Sequence, residues 1–244
     1  MTRSATNPIV RLAGLSSMAT RALLTDLAAD YRARHGVELV IESVAGMAAA
    51  KRLQAGEAFD FVVLAADAID RLIGSGQLVA GSRADLVRSG VAVAVRRGSP
   101  GPDPDPGPDI STEDAVRRAV LAAPRIGYST GPSGVQLLKL FDRWGITPQL
   151  QLQGRLVQAP PGVPVAALVA RGEVALGFQQ LSELLNVDGI RVLGPLPPAI
   201  QINTVFAAGL CTASTQAGAV RALFDFMASP AATPAKQVHG MAPA

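Results

Sequence analysis

Residues 9–44 read IVRLAGLSSMATRALLTDLAADYRARHGVELVIESV. Ile9-Val10-Arg11-Leu12-Ala13 is a short apolar run that predicts a strand, and Ser16 and Ser17 follow it as helix-cap hydroxyls. From Ala19 to Arg34 the apolar residues Leu23, Leu24, Leu27 and Tyr31 fall at helical spacing, and Gly36 stops the pattern. Val37–Ser43 then predicts a second strand.

Working outward, the alternation continues. Ala45-Gly46 opens a helix through Leu53, Phe59–Ala65 reads as a strand, and Asp67–Ile73 as a helix with Gly74 behind it. A βαβαβα order is the mark of a mostly parallel sheet covered on both faces. A second series follows: a strand at Gly90–Val95, a Pro-rich loop at Ser99–Asp109, and a helix at Ser111–Ala122. Then come a strand at Arg125–Tyr128, a helix at Ser133–Gly145, a strand at Leu152–Gln158 and a helix at Val163–Arg171. Val174–Phe178 predicts a strand, Leu181–Leu185 a helix, Arg191–Leu193 a strand, Ile202–Ala208 a strand and Gln216–Met227 a closing helix. The expected fold is α/β with two lobes, residues 1–84 plus 195–244 forming the first and 85–194 the second. Two crossings between lobes imply a hinge and an interlobe cleft, a favoured place for a ligand.

Composition narrows the function. At 244 residues with 49% hydrophobic and 17% charged residues, the chain can bury a core and is not of the disordered type. One cysteine, Cys211, rules out an internal disulfide framework and a Cys zinc cluster, and His35 and His239 sit in no metal motif. No metal and no cofactor is therefore expected. The net charge of +3 is a weak field, and Lys51-Arg52, Arg96-Arg97 and Arg117-Arg118 are scattered rather than striped, so no nucleic-acid partner is expected. No apolar run reaches the length of a membrane span, and Met1–Pro8 is polar without a signal-peptide pattern. The chain as written reads as cytoplasmic without membrane insertion; it would be periplasmic if it were a trimmed mature form.

Four strand-to-helix turns carry small or hydroxylated residues where a helix begins: Leu15–Ala19, Val44–Ala48, Tyr128–Gly134 and Ala159–Pro164. A helix start exposes unpaired N–H groups and partial positive charge, and small residues let an anion approach them. Capping alone also explains each turn. The densest is Gly127-Tyr128-Ser129-Thr130-Gly131-Pro132-Ser133-Gly134, which is neither a Walker A loop nor a nucleophile elbow. Gln179 and Gln180 follow an apolar strand and could donate to a carboxylate, and Gln201 sits at the proposed hinge. Asp67 either caps the next helix or lines the cleft, and Met18, Met47 and Phe178 pack in the core or against an apolar part of a ligand.

From about Ile9 to Gly240 the chain resembles the type 2 periplasmic-binding-protein fold, and within it the molybdate-binding-protein-like solute receptors. The likeness rests on the opening strand with its Ser loop, Leu53-Gln-Ala-Gly-Glu-Ala-Phe-Asp60, Ala65-Ala-Asp67, Leu168-Val-Ala-Arg-Gly-Glu-Val-Ala-Leu-Gly177 and a closing Phe224–Gly240 helix. The resemblance implies an oxyanion held by Ser hydroxyls, backbone amides and a Tyr hydroxyl, and an ABC permease as partner if the chain is exported. Ser16 or Ser17 fills the first Ser role; Ala45-Gly46-Met47 stands where the family has a serine cluster, and Gln180 stands for the Tyr. These departures point to a ligand larger than molybdate with an apolar part, such as a di- or tricarboxylate. A looser similarity is to aconitate isomerase, which moves a double bond in a tricarboxylic acid.

Two functions follow. One is binding of a small oxyanion or organic carboxylate, with Ser16, Ser17, Gly46, Met47, Tyr128, Ser129, Thr130, Ser133, Gly162, Val163, Gln179 and Gln180 as ligand contacts. The other is isomerisation by proton transfer, which needs a base; Tyr128, Glu42, Asp67 and Glu183 are its candidates.

Overall fold

The computed structural model describes residues 10–98 and 106–244. Met1–Pro8, Ile9 and most of the Pro-rich loop, on which the sequence reading also touched, lie outside the described residues. β1 (Arg11–Ser17) runs four residues beyond the expected strand and ends in a short 3-10 turn at Met18–Thr20. α1 (Arg21–His35) buries Leu23, Leu24, Leu27 and Tyr31 and ends at Gly36, whose φ of 68° is the left-handed cap that glycine accepts most cheaply. β2 (Glu38–Val44), α2 (Gly46–Gln54), β3 (Phe61–Ala65) and α3 (Ala66–Gly74) complete the opening series. β3 is buried along its whole length, as a central strand covered on both faces must be.

The chain continues through β4 (Ala84–Arg96), α4 (Glu113–Ala122), β5 (Ile126–Tyr128) and α5 (Pro132–Arg143). Next come α6 (Thr147–Leu152), β6 (Leu156–Gln158), α7 (Val165–Ala170), β7 (Leu176–Gln180), α8 (Leu181–Leu184) and β8 (Ile190–Pro195). β9 (Asn203–Leu210), α9 (Ala217–Ala228), α10 (Thr233–Val238) and β10 (Met241–Pro243) close the chain. Among the described residues no helix is long and apolar enough to cross a membrane.

Two expectations are corrected. The strand expected at Leu152–Gln158 begins only at Leu156, because Pro148 starts the short helix α6. A strand would have put Leu150 and Leu152 on one face; instead Leu150 is fully buried and Leu152 is 94% exposed. The closing helix expected over Phe224–Gly240 breaks at Ser229-Pro230, since proline cannot continue the hydrogen-bond ladder, and restarts as α10.

The molecule divides into two α/β units. The first runs to Leu86 and resumes over Phe206–Val238 and Pro243–Ala244; the second holds Val87–Val205 and His239–Ala242. The chain therefore changes unit within β4, again within β9, and twice more on either side of His239–Ala242. The second change lies after the Pro-rich connector at 195–198, because Leu196 and Ile200 are buried in the second unit's core.

In the first unit β1 pairs in parallel with β2 and β3, and β3 pairs antiparallel with β9. Asp60 fastens this sheet: Oδ2 accepts from Ala13 N at 2.8 Å and Oδ1 from the Ser214 hydroxyl at 2.6 Å. Lys236 is buried and donates Nζ to Leu86 O at 3.0 Å; burial pushes its pKa down. In the second unit β5 pairs in parallel with β6 and β7, while β4 pairs antiparallel with β7 and β8. Phe141 on α5 sits fully buried against the edge of Phe178, tying helix to sheet. The Arg155 guanidinium takes up the carbonyls of Val120, Leu121 and Ala123 at the end of α4, where its charge suits the helix dipole.

Candidate functional site

In the first unit the parallel strands bring two hydroxyls together. Ser16 stands opposite Ser43 in register, and their Oγ atoms lie 2.7 Å apart with Ser16 fully buried. The cap role expected of Ser16 and Ser17 divides: Ser17 caps the 3-10 turn, accepting from Ala19 N at 3.4 Å, whereas Ser16 bonds across to β2. Sequence reasoning missed Ser43; sliding the two apolar strands into parallel register would have found it. α2 starts at Gly46, where an added Cβ meets nothing within 4 Å. Its N-cap, Ala45, has no side-chain acceptor; the Ala48 N–H turns back to Ala45 O at 2.8 Å, and the N–H groups of Gly46 and Met47 gain no side-chain cap. Met47 is 66% exposed, which removes the core role considered for it; Met18 is half-buried.

Both candidate acids of this unit are paired with arginine. Arg52 grips Glu42 through two bonds of 2.6 and 2.9 Å and holds its carboxyl below the usual range. Asp67 does not cap its helix: Ala65 is the N-cap, and Asp67 pairs one turn on with Arg71 at 2.9 Å on the exposed face.

In the second unit the parallel strands β6 and β5 end level, Tyr128 opposite Gln158, while β7, with Phe178 in register with Tyr128, runs two residues further to Gln180. The turns beyond them are therefore neighbours at the carboxyl edge, where ligands bind in parallel α/β sheets. Ser129 and Ser133 face each other across the first turn, Oγ to Oγ 3.1 Å. Gly134 is required there, since a Cβ would stand 1.9 Å from the Ser129 carbonyl oxygen. Gly131 is the N-cap of α5 and Pro132 its first residue, an arrangement that leaves N–H groups free of side-chain capping. Tyr128 and Thr130 are half-buried, and Tyr128 packs on the core with Phe178. In the second turn Gly162 is exposed with φ +80°, and Val163 donates its N–H back to Pro160 O at 3.0 Å.

Gln179 and Gln180 lie inside β7 rather than beyond it, so they point to opposite faces. Gln179 Oε1 accepts from Ala166 N at 3.3 Å and its Nε2 donates to Glu183 Oε1 at 2.8 Å. Burial pushes the Glu183 carboxyl up to about 7, although the Gln179 bond pulls the other way. Gln180 is 3% exposed; its Nε2 donates to Thr204 Oγ1 at 2.7 Å, while its Oε1 is buried without a hydrogen-bond partner among the described residues. Thr204 was not singled out from the sequence, because its role depends on a contact from β9 to β7. Gln201, expected at a hinge, is fully engaged as a staple: its amide oxygen accepts from Val91 N and Ile202 N, and its Nε2 donates to Leu196 O.

Among the described residues no group of three or more His, Cys, Asp and Glu side chains could hold a metal ion. The strand-end chemistry is instead hydroxyls, amides, backbone N–H groups and one carboxyl that titrates near neutrality. Such donors recognise anions without a fixed positive charge.

A family model described as bacterial extracellular solute-binding protein matches residues 12–242. Aconitate isomerase from Pseudomonas sp is 36% identical over 98% of this chain and 90% of that protein. The Azotobacter vinelandii periplasmic molybdate-binding protein superposes with a TM-score of 0.77 at 18% identity, covering 94% of this chain and 98% of that one. The sulfate-binding protein of Mycobacterium tuberculosis superposes with a TM-score of 0.73 at 15% identity, covering 96% of this chain and 87% of that one.

Proposed function

The chain belongs to the bacterial extracellular solute-binding protein family, and from that premise we propose that it binds a small organic carboxylate of the aconitate class. The observation that carries this reading is the near full-length relationship to aconitate isomerase. The strand-end chemistry agrees with it. Ser129, Thr130, Ser133 and Gln180 supply hydroxyl and amide groups beside the α5 start, and Ser16, Ser17, Gly46, Met47, Tyr128, Gly162 and Val163 lie at or beside the ends of parallel strands. Fixed dipoles of this kind replace the hydration of a carboxylate without reorganising. Gln179 acts differently: both ends of its amide serve Ala166 and Glu183, so its contribution is to shape the edge. Calorimetric titration with trans-aconitate, citrate, molybdate and sulfate tests the reading. Heat with the tricarboxylates and none with the inorganic oxyanions supports it; the reverse order overturns it.

A second reading, proton-shift isomerisation of the bound tricarboxylate, is favoured by two specific observations. One is the same relative; the other is the Glu183 carboxyl held near neutrality, as a general base requires. In that reading a base removes a carbon-bound proton next to the double bond and strand-end donors stabilise the enolate-like charge. Reprotonation at the far carbon then moves the double bond. Exchange of trans-aconitate protons with deuterated water separates the readings: exchange marks catalysis, and binding without exchange marks a receptor. The receptor reading carries with it export and an ABC permease as partner.

A further inference from the structure

The Gln180 amide poses a question that its place at the end of β7 does not answer. It is 3% exposed and makes a bond at one end only, Nε2 to Thr204 Oγ1 at 2.7 Å, while Oε1 lies buried with no partner among the described residues. A buried acceptor left unmade is costly, so it calls for an explanation. Thr204 is 9% exposed, and its hydroxyl both donates and accepts by rotating about one bond. The two ends of an amide have nearly the same shape. The pair therefore has two arrangements. In one, the amide NH2 rests on Thr204 and the carbonyl oxygen is free. In the other, the Thr204 hydroxyl donates to the carbonyl oxygen and the NH2 is free.

We propose that Thr204 is a positioning residue that lets Gln180 turn its amide and present NH2 to a carboxylate. This rests on the reading of the β7 end as part of the ligand site. An anion favours the arrangement that offers it N–H, and in that arrangement the Thr204 hydroxyl satisfies the oxygen that is otherwise unpartnered. Recognition of negative charge by a reversible donor, rather than by Lys or Arg, also matches the hydroxyl pair Ser129–Ser133 in the turn that follows the adjacent strand β5.

The test is calorimetric titration of trans-aconitate into wild type, Thr204→Val and Thr204→Ser. Valine keeps the shape and removes the hydroxyl, so affinity should fall about tenfold, while serine should hold it within about twofold. Wild-type affinity in Thr204→Val overturns the proposal. If wild type itself gives no heat with trans-aconitate, the ligand reading fails, and the pair is judged in the free protein by thermal melts of Gln180→Leu, Thr204→Val and the double variant. Two groups acting as one unit should leave the double variant within about 2 °C of the weaker single variant. Strictly additive losses overturn the pairing.

Discussion

At the ends of β1 and β2, Ser16 and Ser43 close on each other at 2.7 Å; at the end of β7, Gln180 has one end of its amide engaged and the other buried without a partner. The first unit's two candidate bases are tied to arginines, Glu42 to Arg52 and Asp67 to Arg71. The second unit's Glu183 has an amide for company and is pushed up to about 7 by burial. In the first unit the strand-end hydroxyls bond each other and the candidate acids bond arginines; in the second an amide oxygen is buried without a partner among the described residues and a carboxyl lies near its titration point. Two edges built from the same strand-to-helix plan have different chemistry.

The largest effect is expected at Gly134. A Cβ there would press on the Ser129 carbonyl at 1.9 Å, so Gly134→Ala must displace the turn, at a cost of about 3 kcal/mol by analogy with overpacked sites. Urea denaturation checks it, and an unchanged midpoint would show the turn to be pliable. Next is Glu183. Its folded pKa is raised from 4.5 to about 7, so the folded protein holds a proton that the unfolded chain has released. Stability should therefore fall as pH rises through that window and level off above it. Glu183→Gln should abolish this contribution, seen as a smaller difference between urea midpoints at about pH 5 and about pH 8. Ser16→Ala comes third: it strands the Ser43 hydroxyl and should cost about 1 kcal/mol of stability by the same denaturation. The smallest effect is at Gly46, where a Cβ meets nothing within 4 Å. Gly46→Ala should change stability by less than about 1 kcal/mol in either direction. If it weakens trans-aconitate binding all the same, the first unit's edge contributes to recognition; unchanged affinity would confine recognition to the second unit.

Much of the architecture was legible in local periodicity. α1 announces itself by Leu23, Leu24, Leu27 and Tyr31 with Gly36 behind, and β3 by five consecutive apolar residues. α6 was not: six residues are too few to show a helical period, and its last residue, Leu152, reads as the start of the next strand. The periodicity over Gln216–Met227 stops short of Pro230 and matches α9; the longer helix over Phe224–Gly240 comes only from the family resemblance. The crossing beyond the Pro-rich connector depends on where Leu196 and Ile200 are buried, which is a tertiary fact. The site divides in the same way. The turn at 128–134 stands out by composition, whereas Ser43 and Thr204 matter through cross-strand contacts that no local window contains. Glu183 was visible only as one base candidate among four; its burial sets it apart.

Calorimetric titration of trans-aconitate into wild type and the Ser129→Ala/Thr130→Ala variant tests most directly whether the second unit's edge holds a carboxylate. Wild type should give saturable heat, and binding should weaken by about 1–3 kcal/mol in the variant. Equal affinity in both proteins would contradict it.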